Sequence, residues 1–229
     1  MVATAADGGR PLVGPFDPAA VVVVGGGGHG RTLLALLAAL PGYRVVGVLD
    51  DQLDPGTDLA GTELLGGTEL LEDLAARGVR LAVNAVGGIS PTRVGQRVAV
   101  FDRLEAAGFS CPALVHPRAA VEPDAELEPG AQVLAQAYVG SRAVVGFGAV
   151  VNTGAMVSHD CAVGAYVNLS PGALLAGGVT LGRAALVGMG ATVNIQLSIG
   201  AGARIGNGAT VKADVPEGAV VSAGGIWPR

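Results

Sequence analysis

The sequence predicts two domains of different class: a small α/β domain with a parallel sheet, a Rossmann-like half, followed by a parallel β-helix of hexapeptide repeats. Three observations predict this fold. Aliphatic residues recur at every sixth position through the second half of the chain. A strand, a glycine-rich loop, a helix and a second strand follow one another from residue 20. Half of the 229 residues are hydrophobic but only 3% are aromatic, and 38 are glycine. At ~100 to 200 residues per domain, this length allows one large domain or two small ones.

The six-residue period runs from Val115 to Val211 without an inserted residue. Every sixth residue in this stretch is Val, Leu or Ile, and the residue four positions further on is small or apolar. A period of six fits neither the 3.6 residues of a helical turn nor the alternation of a strand, and it is typical of hexapeptide β-helices. Stacked aliphatic residues fit a narrow coil, whereas aromatic rings would overpack it. The low aromatic content therefore agrees with the repeat.

The first half reads as alternating strands and helices. Residues 21–24 form a buried strand, 25–30 (GGGGHG) a tight loop, 31–40 a helix closed by Pro41 and Gly42, and 44–49 a second strand. This is a β-α-β unit. A helix near 68–77, a strand near 81–86 and a helix near 92–107 extend it into a small doubly wound sheet. We therefore expect a flexible extension at 1–19, an α/β domain at 20–110, and a β-helix domain at 111–229 whose C-terminal tail caps the β-helix.

Charge and composition exclude several partners. Lys and Arg number 14 against 19 Asp and Glu, so the net charge of −5 lacks the basic footprint of a nucleic-acid-binding protein. The chain has no apolar run of about 18 residues and no secretory signal pattern, so we expect no membrane partner and a cytoplasmic location. Cys111 and Cys161 are too few for a disulfide framework or a zinc site and are expected to be reduced thiols.

The glycine-rich loop matches the dinucleotide pattern GxGxxG through Gly25, Gly27 and Gly30, with Asp50 about 20 residues after it. One interpretation is structural: four consecutive glycines let a strand turn sharply into a helix. The other is that amides at a helix N-terminus bind the diphosphate of NAD or of a sugar nucleotide. About 90 residues supply only one mononucleotide-binding half, and this favours the sugar nucleotide over NAD.

Together, the glycine loop, the two acidic residues that end the second strand, and the coils containing His-Asp-Cys resemble one family. It is the hexapeptide-repeat sugar acyltransferases, which include sialic acid O-acetyltransferases and nucleotide-4-aminosugar N-acetyltransferases. The resemblance covers about residues 21–218. It implies a left-handed β-helix with three sides per coil, so that each residue stacks on the one three hexads further on. It also implies a homotrimer without a metal, in which acetyl-CoA lies in a groove between neighbouring subunits.

The resemblance implies that residues 20–110 are a nucleotide-sugar-binding domain and residues 111–229 an acyltransferase domain, and it assigns residues to both ligands. It implies that the nucleotide sugar lies against Gly27, Gly28, His29, Asp50, Asp51 and Gly66. It implies that acetyl-CoA lies near Asn168, Gly177, Met189 and Asn207. Members of the family commonly carry His at the position that Asn168 occupies, and an amide can donate a hydrogen bond there but cannot act as an acid. Trp227 is expected either to stack on the adenine or to cap the β-helix.

The chemistry is predicted at His159. Acetyl transfer needs a group that removes a proton from the acceptor, and an imidazole titrates in a suitable range. Asp160 can hydrogen-bond one ring nitrogen and favour the imidazolium that forms. Asn152 matches a family position near the acceptor group. Cys161 occupies an inward position of its hexad and is interpreted as core rather than as a nucleophile.

These residues predict an acetyl-CoA-dependent N-acetyltransferase that acts on a nucleotide-linked amino sugar of the 4-amino-4,6-dideoxyhexose type. Two alternatives stay open: O-acetylation of a sialic acid or another sugar, and a non-catalytic scaffold that binds nucleotide sugars. A γ-type carbonic anhydrase needs three zinc-binding histidines in one prism. The chain has only three in total, and His29 belongs to the other domain, so this class is rejected.

Overall fold

The computed structural model describes residues 18–228. The chain divides into two compact units between Pro112 and Ala113, two residues after the boundary expected from the sequence. Most of the predicted extension, residues 1–17 of 1–19, lies outside the described residues.

Within its described residues, the N-terminal unit contains a five-stranded sheet in the order β3-β4-β2-β1-β5. The strands are β1 (Ala20–Val24), β2 (Arg44–Leu49), β3 (Asp58–Leu59), β4 (Thr62–Gly66) and β5 (Leu81–Asn84). All neighbours pair in parallel except β3 and β4. The helices are α1 (Gly28–Ala38), α2 (Leu71–Ala76), which follows a 3₁₀ turn at Thr68–Leu70, and α3 (Pro91–Ala106). β1 is buried at every residue, and it pairs with β2 on one edge and with β5 on the other.

Two features of this unit differ from the sequence prediction. Helix α1 begins at Gly28 rather than at residue 31, so Gly28 and His29 form its first turn and Gly27 is the N-cap residue. The hairpin of β3 and β4 was not predicted, because β3 has only two residues and therefore too short an alternation to recognise. Its strand β4 brings Gly66 next to β2, where the Asp50 N–H donates to the Gly66 carbonyl at 2.9 Å.

The C-terminal unit is a column of two-residue strands arranged, over its described residues, in three parallel sheets that we call sides one, two and three. Side one consists of Ala120–Val121, Tyr138–Val139, Met156–Val157, Leu174–Leu175, Thr192–Val193, Thr210–Val211 and Ile226–Trp227. Side two consists of Glu126–Leu127, Val144–Val145, Ala162–Val163, Thr180–Leu181 and Ser198–Ile199. Side three consists of Leu114–Val115, Gln132–Val133, Val150–Val151, Asn168–Leu169, Leu186–Val187, Arg204–Ile205 and Val220–Val221.

The strand register shows why the hexads build this column. Residues three hexads apart are partners, as Val139 is with Val157 and Val157 with Leu175. The second residue of each aliphatic strand points inward together with the small residue that precedes the next strand, and these side chains form one continuous core. Between strands lies a two-residue turn. From Gly130 onward the second residue of each such turn has a positive φ even where it is not glycine, as at Asp160 (φ 60°).

We name the edges where the sides meet. Corner A joins side one to side two, corner B joins side two to side three, and corner C joins side three to side one. The chain passes the three corners in turn, so that each corner receives one turn per coil.

The period changes near the C-terminus. Ile199 pairs with Val215 instead of with Glu217, so the coil between them is shorter than the coils before it. The tail then adds a last strand to side three and another to side one, so it extends the column before it ends. Trp227, in the last strand, packs against the end of the core, and its Nε1 donates to the Asp214 carbonyl at 2.9 Å.

Candidate active site

His159 and Asp160 form the two-residue turn at corner A between Met156–Val157 and Ala162–Val163. The Nδ1 atom of His159 lies 2.7 Å from Oδ2 of Asp160. The imidazole is 63% exposed, so its other nitrogen can be reached from solvent. The left-handed backbone of Asp160 turns the chain from side one to side two and lets adjacent side chains meet, which neighbouring residues on a strand cannot do. The structure thus brings together the predicted base and its supporting carboxylate.

The carboxylate of Asp160 is held on both oxygens. Arg142, one coil earlier in the same corner, donates from Nε to Oδ1 at 2.7 Å, and its Nη2 lies 2.5 Å from the same oxygen. Hydrogen bonds from His159 and then Arg142 lower the pKa of Asp160 below its usual value of 3.8. Asp160 therefore stays ionised at neutral pH and faces His159 as an acceptor.

Glycines on the neighbouring coils leave room for this turn. A Cβ on Gly177, one coil after His159, would lie 2.6 Å from the Nε2 and Cε1 atoms of the imidazole. A Cβ on Gly140 would lie 2.7 Å from the backbone nitrogen of His159. The imidazole consequently packs on the bare backbone of the following coil. Gly177 was predicted as part of the donor site, and the structure gives it a direct steric relation to the base.

Other predicted site residues lie elsewhere on the column. Asn152, Met189 and Asn207 are at corner C, where the backbone N–H of Met189 donates to Oδ1 of Asn207 at 2.9 Å. Asn168 is on side three, is only 9% exposed, and donates from Nδ2 to Oγ of Ser170 at 3.3 Å. Within one chain the structure does not place these four side chains beside His159. The sequence signal that could have separated these four residues from His159 is their position counted in whole coils of three hexads, instead of in single hexads.

Cys161 points into the core, as its hexad position predicted. It is buried, and its Sγ donates to the Ala176 carbonyl at 3.2 Å. Burial raises the pKa of the Cys161 thiol, and burial also raises the pKa of Cys111, to about 11. Both thiols are thus protonated at neutral pH, and this environment is the opposite of the one that activates a nucleophilic cysteine.

The glycines of the GGGGHG loop have different roles. Gly25 has a positive φ of 116°, and a Cβ on Gly30 would overlap the Gly25 carbonyl oxygen. A Cβ on Gly26 would meet Leu53 and Leu59. At Gly27 and Gly28, in contrast, no described atom lies within 4 Å of the place a Cβ would take. Neither packing nor backbone strain requires glycine at these two positions, which lie at the N-terminus of α1.

The six residues predicted to contact the nucleotide sugar line two depressions that share Asp50. One, of about 610 Å³, is lined by Gly27, Gly28, His29 and Asp50 together with Arg31 and Arg93. The other, of about 660 Å³, is lined by Asp50, Asp51, Gly66, Thr68 and Arg103. The structure therefore gathers these residues at the carboxyl ends of the parallel strands, where ligands bind in open α/β sheets.

The two acidic residues also shape the loops around them. Asp50 accepts from the backbone N–H of Gly26 at 2.7 Å through Oδ2 and from that of Gln52 at 2.9 Å through Oδ1. Asp51 accepts from the N–H of Thr68 at 2.6 Å and lies 3.5 Å from Nη1 of Arg103. Asp50 thus fixes the glycine loop in addition to any contact with a ligand.

Sequence reasoning did not select the residues of α3. Arg93, Gln96, Val100 and Arg103 line a further cavity of about 280 Å³ next to Asp50 and Asp51. Their spacing of three, four and three residues places them on one helical face, and this spacing is the signal that could have found them. Arg93 also lines the glycine depression. Asp50 and Asp58 line the glycine depression as well, and their negative charges would repel a diphosphate. Arg31 and Arg93 are the lining residues that supply positive charge to bind one.

In residues 18–228, no group of three or more His, Cys, Asp or Glu side chains is arranged to hold a metal ion. No helix in the same range is both long and apolar enough to cross a membrane.

A hexapeptide column with a His–Asp pair in one of its turns, joined in one chain to an α/β domain with an open glycine loop, defines the class of hexapeptide-repeat acyltransferases. Comparisons with known proteins agree. Residues 20–93 match the family described as the PglD N-terminal domain. The chain is 33% identical to a variant of perosamine N-acetyltransferase from Caulobacter crescentus, solved with CoA and GDP-perosamine. The match covers 88% of this chain and 92% of that one, with a TM-score of 0.82.

Two further solved structures extend the comparison. The acetyltransferase domain of PglB from Neisseria gonorrhoeae, in complex with acetyl coenzyme A, is 34% identical over 91% of this chain and 98% of that one, with a TM-score of 0.82. WeeI from Acinetobacter baumannii is 25% identical over 89% and 96%, with a TM-score of 0.77. The comparison with curated proteins gives no match.

The chain belongs to the family of hexapeptide-repeat sugar acetyltransferases. The predicted fold class, an α/β domain followed by a left-handed parallel β-helix, is confirmed, as is the prediction that the protein is an acyltransferase.

Proposed function

We propose that this protein transfers the acetyl group of acetyl-CoA to the amino group of a nucleotide-linked amino sugar of the 4-amino-4,6-dideoxyhexose type. Membership of the family and the perosamine N-acetyltransferase relative support this reaction. The single observation that carries the proposal is the contact of 2.7 Å between Nδ1 of His159 and Oδ2 of Asp160, which leaves Nε2 of a largely exposed imidazole as the acceptor of a proton.

In the proposed reaction, the amine attacks the thioester carbon and a C–N bond forms. His159 takes one proton from the attacking nitrogen at Nε2, while Nδ1–H donates to Asp160 and stabilises the imidazolium. The C–S bond then breaks, and the imidazolium returns the proton to the departing sulfur, so that CoA leaves as a thiol. Asp160 stays ionised throughout. Cys161 takes no part, because its thiol is buried and protonated.

The α/β domain, residues 20–110, would bind the nucleotide. Open space at Gly27 and Gly28 lets a diphosphate approach the amides at the N-terminus of α1. Arg31 and Arg93 would balance the charge of the diphosphate, and His29 lines the same depression. Asp50, Asp51 and Gly66 would contact the nucleoside in the adjoining depression.

The column, residues 111–229, would bind acetyl-CoA in a site shared between subunits of a homotrimer. The predicted contacts of acetyl-CoA and acceptor are divided between corner A, with Gly177, and corner C, with Asn152, Met189 and Asn207. Side one connects these corners and exposes Met156 and Leu174. A cyclic trimer would bring corner C of one copy to corner A of the next and cover these apolar side chains. Asn168 is assigned to the same donor site.

We assign this reaction to the cytoplasm, because acetyl-CoA and nucleotide sugars are cytoplasmic metabolites and the two cysteines are free. Light scattering at micromolar concentration tests the trimer: a monomer would contradict the shared site.

The test of function is acetyl transfer from acetyl-CoA to UDP-, GDP- and dTDP-linked 4-amino sugars, followed by mass spectrometry of the product. His159→Gln should lower kcat by roughly 10² to 10⁴ with an unchanged Tm. His116→Gln is the matched control, since His116 lies in the first coil of the same column, more than two coils before His159. An O-acetylated product would support the sugar O-acetyltransferase alternative. Binding of the nucleotide sugar without transfer would support the non-catalytic scaffold.

A further inference from the structure

The orientation of the Asp160 carboxylate is set by Arg142. A carboxylate rotates easily about its terminal torsion, because that torsion joins an sp³ to an sp² carbon and has broad minima. One contact to His159 would not fix its plane. Arg142 directs both Nε and Nη2 at Oδ1 of Asp160, at 2.7 and 2.5 Å, and this leaves Oδ2 for Nδ1 of His159.

Arg142 is placed for this contact by the stacking of coils. It is the second residue of its turn, one coil before Asp160, and both have the left-handed backbone of that position. The backbone N–H of Asp160 donates to the Ser141 carbonyl at 2.9 Å, so that the two turns stack directly. The guanidinium therefore needs to span only one coil to reach the carboxylate.

A third charge continues this stack. Asp124 lies one further coil before Arg142 and accepts from Oγ of Ser141 at 2.7 Å. Hydrogen bonding to Ser141 and to the backbone of Arg142, together with the charge of Arg142, lowers the pKa of Asp124. Asp124, Arg142 and Asp160 thus form a ladder of alternating charge along corner A that ends at His159.

This ladder contributes little to stability. The side chain of Arg142 is 68% exposed and that of Asp160 39%, and exposed ion pairs add only a small part of the free energy of folding. The geometry, in contrast, is specific: both donors of one guanidinium edge meet a single oxygen, and the other oxygen meets the imidazole. A role in orienting His159 explains this arrangement better than a role in folding.

We propose that Arg142 is a positioning residue of the acetyl transfer, which holds Asp160 so that His159 keeps its proton on Nδ1 and presents a bare Nε2 to the acceptor amine. This inference rests on the proposed function for its effect on rate. Its structural part, the fixed tautomer of His159, stands independently of the identity of the substrate.

The kinetic test compares Arg142→Gln with wild type. We expect kcat to fall by about tenfold, as when a residue that orients a catalytic group is removed, with both KM values and the Tm unchanged. Arg142→Lys should recover part of the loss, because an ammonium supplies the charge but not the two-pronged contact. Arg183→Gln, an exposed turn residue at corner B, outside the proposed shared site, is the matched control and should keep full activity. An unchanged kcat in Arg142→Gln, or a change confined to KM, would overturn the proposal.

A spectroscopic test separates this inference from the proposed function. In protein labelled with ¹⁵N-histidine, the ring shifts of His159, assigned with His159→Gln, should show the proton on Nδ1 at neutral pH. Arg142→Gln should give a mixture of tautomers. If the tautomer is the same in both proteins, Arg142 does not position the ring, whatever the enzyme acetylates. If the tautomer changes but wild type transfers no acetyl group, the proposed function fails and the positioning role stands.

Discussion

The imidazole of His159 packs directly on Gly177, the residue at the same turn position one coil further on, with no side chain between them. A Cβ on Gly177 would lie 2.6 Å from Nε2, closer than any ordinary contact allows. Gly177 has no positive φ, so its backbone would tolerate alanine. The glycine is therefore required by the neighbouring ring and not by its own conformation.

Gly177→Ala should consequently displace the imidazole and lower kcat by about 10² while leaving the fold intact, because a misplacement of about 1 Å is costly at a reacting group. Steady-state kinetics and a melting curve measure the two effects. Gly95→Ala, in α3, is the control, since no described atom lies within 4 Å of its missing Cβ. If Gly177→Ala keeps the wild-type kcat, the ring does not need the position that the structure gives it.

The ionisation of Asp160 offers a second prediction. Its pKa is lowered first by the hydrogen bond from His159, so ¹³C NMR should find a value below 3.8 that rises in His159→Gln. A carboxylate with a lowered folded pKa stabilises the fold above its unfolded pKa, and this contribution is lost as the pH falls through the folded value. Because this ion pair is exposed, the Tm difference between wild type and Asp160→Asn should be small at neutral pH and should vanish on acidification. A difference that grows at low pH would contradict this sign.

The cysteines should be chemically inert in the folded protein. Cys111 has a pKa raised to about 11, and burial also raises that of Cys161. Because the thiolate is the reactive form, an aromatic disulfide reagent at neutral pH should label neither thiol quickly until the protein is unfolded. Cys161→Ala should keep its activity, since alanine fills the equivalent inward position at Ala155. A folded but inactive Cys161→Ala would restore a thiol mechanism.

The glycine loop allows a paired test of binding against folding. Gly27→Ala would place a methyl group in the open space at the N-terminus of α1, so we expect weaker binding of the nucleotide sugar and a stability within about 1 kcal/mol of wild type. Gly30→Ala would set a Cβ against the Gly25 oxygen. We expect it to lose about 1 to 3 kcal/mol of unfolding free energy through overpacking. Calorimetric titration measures the binding and urea denaturation measures the unfolding free energy. If both variants lose binding equally and both keep the wild-type stability, Gly27 and Gly30 do not have different roles.

Much of the column could be predicted from the sequence, because a period of six leaves few ways to bury its aliphatic positions. The same count put Cys161 inside and His159 in a turn. The six-residue period does not extend into the α/β domain, so fewer of the details there could be predicted. The helix start at Gly28 could not be predicted because glycine has low helix propensity, and the cations of α3 were not predicted because they are far from the glycine loop along the chain and only the folded sheet brings them near it.

The order of the residues along the chain determined by itself that the second half is a stacked coil and that His159, Asp160 and Gly177 share one corner. Counting in whole coils would also have placed Asn152, Met189 and Asn207 at another corner. Only the tertiary structure decided that Arg142 contacts Oδ1 of Asp160 and that the ring of His159 turns towards Gly177. The reason is physical. A repeat fixes the phase of each residue along the backbone, whereas contacts between side chains depend on the spacing of stacked turns and on rotamers, which no single period encodes.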